Sequence, residues 1–251
     1  MGRFCMILYD LFFFQRKGTQ MKGIRMQKLP EGLDRMPFAE RIKTLAALAK
    51  KADPQCLVFG SEKHQYTFRP PIDIQAVRAF ESRTGLTLPE EYVRFLTEVG
   101  NGGAGIDYGL YSLENVEREI REETASTGVT LFDYENPAQV YYEKNLAMER
   151  LDEQYGKAAD EQCDALYADL IRGMLVIGTA GCTFDYFIMC QGKKRGRVGI
   201  LDWNMEPERE YAPALFDLTL SEWLENYFKR IILGKVIWCR CFYKVDYDAD
   251  I

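Results

Sequence analysis

A chain of 251 residues with a single histidine has little room for the commonest catalytic devices. A His-dependent triad or a His-ligated metal centre would have to be built around His64 alone, which argues against both. The seven cysteines (Cys5, Cys56, Cys163, Cys182, Cys190, Cys239 and Cys241) are odd in number, scattered, and contain no CxxC pair. That usage fits reduced cytosolic thiols and not a disulfide framework. Long apolar runs are also missing. The candidate Phe4 to Phe14 is interrupted by Asp10 and falls well short of the ~20 residues a membrane span needs. It lacks the small-residue cleavage site of a secretory signal, so a cytoplasmic protein is expected. Met21 and Met26 follow it closely. An over-extended start covering residues 1–25 is one reading of this segment, and an added strand or helix on the domain is another.

Nucleotide-binding fingerprints are absent too. The glycine-rich stretch Asn101 to Gly109 follows a helical pattern and leads into an extended one, the reverse of a dinucleotide loop, and its spacing misses GxGxxG. Lys193 and Lys194 sit inside the Gly192 to Gly196 turn with no Ser or Thr after them, so no Walker pattern exists. No cofactor is expected.

What is present is charge, unevenly placed. The formal net charge is −6, but Asp107 to Asp169 holds 16 acids against 5 bases, a local net of −11. The first 60 residues hold 11 bases against 5 acids. Such a middle segment is unsuited to wrapping nucleic acid and suited to steering a basic protein partner, unless its carboxylates are simply a solvated helix face. Its content, 47% hydrophobic and 28% charged, is that of a globular protein, and one domain is the simplest organisation.

Helical spacing of Phe38, Ile42, Leu45 and Ala49 predicts a helix over Pro37 to Lys51, stopped by Asp53-Pro54. Cys56 to Phe59 and Tyr66 to Phe68 read as short strands. Asp73 and Gly85 offer the caps of a helix carrying Val77 and Phe80. Pro89 suits a first helical position, ahead of the apolar face Tyr92, Phe95, Leu96 and Val99. Tyr108 to Leu113 reads as a strand, and Leu113 to Ile171 as largely helical. Strands are predicted at Met174 to Ile177, Phe184 to Cys190 and Arg197 to Trp203, the last two joined by the glycine-bounded turn. Thr219 and Glu222 have capping-box spacing before a helix with Trp223, Leu224, Tyr227 and Phe228, and Val236 to Val245 reads as a final strand. Helices, then a meander, then a helix indicate α+β: a mixed, mainly antiparallel sheet flanked by helices.

Carboxylate pairs such as Glu122 and Glu123 carry no catalytic information without a cleft. Cys182 reads as a small packing group, and Trp203, Trp223 and Tyr227 as core aromatics.

Three ordered segments resemble the SUKH superfamily. The first runs from Leu88, Pro89 and Tyr92 through Phe95 and Leu96 to Asn101, Gly102 and Gly103. The second is Gly109 to Glu114, with Tyr111. The third holds Gly178, Gly181, Tyr186, Gly192, Val198 and Trp203, and ends at Trp223 and Leu224. The resemblance implies that these are packing and turn positions of a non-catalytic protein-binding fold, as in bacterial immunity proteins that neutralise nuclease or deaminase toxins. A housekeeping regulatory module without a toxin is the alternative, and an uncharacterised enzyme a more distant one. The partner implied is a basic protein toxin or another cytosolic protein, with no nucleic acid, membrane or metal. The chain departs from the compact family pattern by an N-terminal extension over residues 1–36 and by an acidic helical insertion at about 114–171 within a domain over 37–251. The insertion's carboxylates Glu114, Glu117, Glu119, Glu122, Glu123, Asp133 and Glu135 are the candidate partner-binding residues.

Overall fold

The computed structural model describes residues 23–120, 122–203 and 213–235, with backbone alone at 122 and 123. Its centre is a four-stranded antiparallel sheet in the order β1-β2-β3-β4: β1 Met174–Gly181, β2 Phe184–Met189, β3 Arg197–Asp202 and β4 Ala214–Thr219. Register follows Val176↔Phe187, Tyr186↔Ile200, Ile188↔Val198 and Gly199↔Leu215. Because successive side chains point to opposite faces, each strand feeds two cores. Leu175, Ile177, Tyr186, Ile188 and Val198 enter the larger one. Met174, Phe187, Met189 and Leu201 enter a smaller one on the other face.

Five longer helical elements build the larger core, and each starts or stops where local chemistry dictates. Helix α1, Phe38–Ala52, buries Phe38, Ile42, Leu45 and Ala49 as its periodicity predicts. Helix α2, Ile74–Thr84, begins where the Asp73 side chain accepts from Gln75 N and ends at left-handed Gly85. Helix α3, Glu90–Arg94, runs into a π turn at Phe95–Val99, and Pro89 caps it one position earlier than expected. Helix α4, Leu113–Glu119, is capped by Ser112. The last helix of the chain, Leu220–Ile232, carries the predicted capping box of Thr219 and Glu222 and buries Trp223, Leu224 and Phe228. Ahead of α1, Ile24 and Leu33 are buried in the same core, and Arg25 N and Gln27 N donate to Ala52 O and Ile232 O. The Phe4 to Phe14 and Val236 to Val245 segments lie outside the described residues.

Two expected strand regions are loops, for a reason that lies in side chains. The Asp53 carboxylate takes the backbone N–H groups of Leu57 and Val58 (2.8 and 3.0 Å), which withdraws two central donors of Cys56 to Phe59 from any ladder. Gln65 and Tyr66 adopt positive φ, leaving Phe68 with an isolated bridge to Gly103. Tyr108 to Leu113 is likewise not a strand: Leu110 alone bridges Gly103 and Gly178 before Ser112 starts α4. Strand β4 is an addition to the sequence expectation.

The acidic segment forms the opposite layer. Helix α5 is Pro137–Tyr155, and helix α6, Asp160–Ile171, follows it through a 3-10 turn; the last helix described above is therefore α7. Leu131, Phe132, Tyr141, Leu170 and Ile171 pack this layer on the sheet. At roughly 1.5–3 kcal/mol for each fully buried apolar side chain, the layer is an integral part of the fold. The fit is tight at Gly199, where an added Cβ would stand 2.4 Å from both the Phe187 ring and Ala214 O. Gly199→Ala is expected to destabilise the chain by about 2 kcal/mol, measured as a lower midpoint in urea.

Candidate partner-binding surface

The seven candidate carboxylates do not form one free surface. Glu114 lies in the first turn of α4 and accepts from Asn101 Nδ2 at 3.2 Å, while Asn101 Oδ1 accepts from Leu113 N at 2.7 Å. Its own backbone N–H, the Ser112 hydroxyl and Asn101 hold its carboxyl below the usual range. Glu117 accepts both nitrogens of a forked contact from Arg83 (2.8 and 2.9 Å), which lowers its pKa. With both partners substantially exposed, solvent screens that pair and it adds little to stability. Asp133 accepts from Thr130 N, Thr130 Oγ1 and Lys193 N. Burial works to raise its pKa, but these donors and the Lys193 charge together hold it low. Glu119 and Glu135 are exposed. Glu122 and Glu123 lie in the short helix Glu122–Ala125, with side chains outside the described residues.

The family-motif residues converge on the scaffold. Leu88, Tyr92, Phe95, Leu96, Val198, Trp223 and Leu224 are buried together. Tyr186 donates to Asp107 Oδ2 at 2.7 Å, and Trp203 Nε1 donates to Asp185. Arg195 in the β2–β3 turn donates to Thr87 O and Leu88 O, which ties the hairpin to the start of α3. Gly103 needs its hydrogen: at φ +107°, a Cβ would be 2.4 Å from Thr67 O. Gly192 is similar, since a Cβ would meet Asp133 Oδ2 at 2.6 Å. Tyr111 is half-buried, Gly178 faces Gly109 O, and Gly181 lies against the Tyr108 ring.

The lone histidine is turned inward. His64 is 8% exposed, and its Nδ1 accepts from Tyr66 N at 2.9 Å. Burial pushes its pKa down to about 4, so the ring is neutral at ordinary pH. Cys182 corrects an expectation: it is exposed, at positive φ in the β1–β2 turn, because the turn geometry and not the core places it. Among the described residues, no group of three His, Cys, Asp or Glu side chains is placed to hold a metal ion. No described helix is long and apolar enough to cross a membrane.

Carboxylates that the candidate set did not include stand on the outer layer. Glu149, Asp152, Glu153, Asp160, Glu161 and Asp164 are exposed and make no ion pair among the described residues. Asp152, Asp160 and Asp164 are close enough to Cys163 to add to the desolvation that raises its thiol pKa. The signal for them was the local charge of α5 and α6, which the sequence pattern alone could not separate from internally paired acids.

Neither a curated protein nor a solved structure matches the chain. The sequence pattern of the SMI1 / KNR4 family (SUKH-1) matches residues 71–226, from the approach to α2 into α7, and so covers the glycine loop, the acidic layer and the whole sheet. With more than half its length matched, including the whole sheet between the two cores, the chain belongs to the SMI1 / KNR4 family (SUKH-1).

Proposed function

We propose that the protein is a non-catalytic immunity protein that neutralises a nuclease or deaminase toxin by direct, stoichiometric binding. Family membership supports an immunity or regulatory protein-binding role. The observation that carries the finer reading is the net −11 of Asp107 to Asp169, a segment whose part from Leu131 onward folds as a layer on the sheet face opposite the larger core. A nuclease must present positive charge to phosphates, so an acidic surface complements its substrate groove and excludes the substrate from it. The inhibitor needs no chemistry of its own, and its buried His64 supplies none.

The test is co-expression with the toxin encoded beside the gene, followed by size-exclusion of the purified pair. Protection of the host together with a one-to-one complex is expected. Growth arrest despite abundant folded protein, with no complex, overturns the reading.

A further inference from the structure

We infer that the outward face of α5 is the docking surface, and that its occupant is a Lys- and Arg-rich face of a protein partner. This rests on the binding role proposed above and narrows it to one element. Tyr142, Glu149 and Glu153 recur at i, i+7 and i+11, which places them within roughly 40° of arc on one face of the helix. All three are exposed, while Tyr141 and Asn145 of the same helix are buried against the layer beneath.

The exposed apolar surface points to the same place. Of the six large hydrophobic side chains that stand exposed among the described residues, four (Val129, Tyr134, Tyr142 and Tyr155) belong to the acidic segment. A tyrosine combines a large apolar contact area with low rotamer entropy, and tyrosines are enriched at the centres of protein interfaces. Tyr142, in the second turn of α5, is 44% exposed.

Charge complementarity then selects the occupant. Glu149 and Glu153 follow Tyr142 on this face by about two and three turns, and have no ion-pair partner among the described residues. The acids nearer the scaffold are already committed: Glu117 to Arg83, Asp133 to the Lys193 backbone, and Asp169 to Lys144 and Arg172. A basic surface gains two unpaired carboxylates and one aromatic anchor here without breaking an internal contact. An acidic or neutral surface would leave both carboxylates without partners.

The probe is the purified toxin domain encoded beside the gene, titrated against the full chain at low and at high salt. Glu149→Lys with Glu153→Lys is expected to weaken binding at least ~10-fold at low salt and to flatten its salt dependence. Tyr142→Ala is expected to weaken it by about 10-fold, at both salt concentrations. A charge-matched control, Glu31→Lys with Asp34→Lys, changes the net charge equally on exposed residues outside the acidic segment and is expected to bind nearly as the parent does. Unchanged thermal midpoints verify folding, and Glu149→Gln alone carries the same test if the double variant does not fold. Parent-like binding by the α5 variants, or equal weakening by the control, overturns the docking face and leaves the binding role standing. A parent chain that does not bind the domain at all overturns both.

Discussion

Replacing Asp53 by Ala is expected to lower the stability of the folded chain by about 4 kcal/mol, read as a large drop in the urea midpoint. The size follows from what the carboxylate holds. It is fully buried and accepts from Leu57 N at 2.8 Å, Val58 N at 3.0 Å, Ser61 Oγ at 3.3 Å and Tyr66 Oη at 2.7 Å. Ser61 Oγ also reaches Val58 O and so has an alternative acceptor. The Tyr66 hydroxyl lies within reach of Ser61, but the backbone N–H groups of Leu57 and Val58 have no other acceptor in the loop, and a buried donor without a partner costs about 1–3 kcal/mol. Asp53→Asn is expected to recover only part of the loss, because one amide oxygen replaces two acceptors and the amide nitrogen faces other donors. A loss below about 1 kcal/mol for the alanine variant would show that the loop is held by apolar packing instead.

The same residue explains where the sequence was legible and where it was not. Helices α1, α2 and α7 follow from signals a few residues apart: the Phe38, Ile42, Leu45 and Ala49 stripe, the Asp73 cap, and the Thr219–Glu222 box. The β2–β3 hairpin follows from two apolar runs around a glycine-bounded turn. Residues 56–59 and 66–68 are equally rich in strand formers, yet Asp53 draws two of their backbone donors to a side chain and the chain loops. Propensity cannot register a competing acceptor brought in by tertiary structure.

The binding surface shows the same limit. The acidic balance of the segment was countable, but which carboxylates are spent internally was not. Glu117 and Arg83 are 34 residues apart, and Asp133 and Lys193 are 60 apart. Only the fold brings those pairs together. The residues first singled out from 114 to 135 include three that brace the scaffold, and the exposed set lies further along, on α5 and α6.

His64 makes a second large effect accessible, this time through pH. Its folded-state pKa of about 4 lies below the ordinary 6.5, chiefly because burial disfavours the charged ring. Glu62, Asp53 and the backbone of Gly105 and Asp107 pull the other way without overcoming it. A depressed histidine leaves stability untouched above pH 6.5, where both states are neutral. As pH falls below 6.5 the unfolded chain takes up a proton that the folded chain refuses, so stability declines until about pH 4, where the folded ring also protonates. The gap between the two values corresponds to about 3 kcal/mol. His64→Asn keeps an acceptor for Tyr66 N but cannot titrate, so it should show a shallower decline across this window than the parent chain. The chain has a single histidine, so the difference between the two urea-denaturation series isolates this residue from the carboxylates. In a tag-free sample, one imidazole C–H resonance reports the folded pKa directly by NMR. A midpoint near 6.5 in that titration would place the ring in solvent and remove the predicted window.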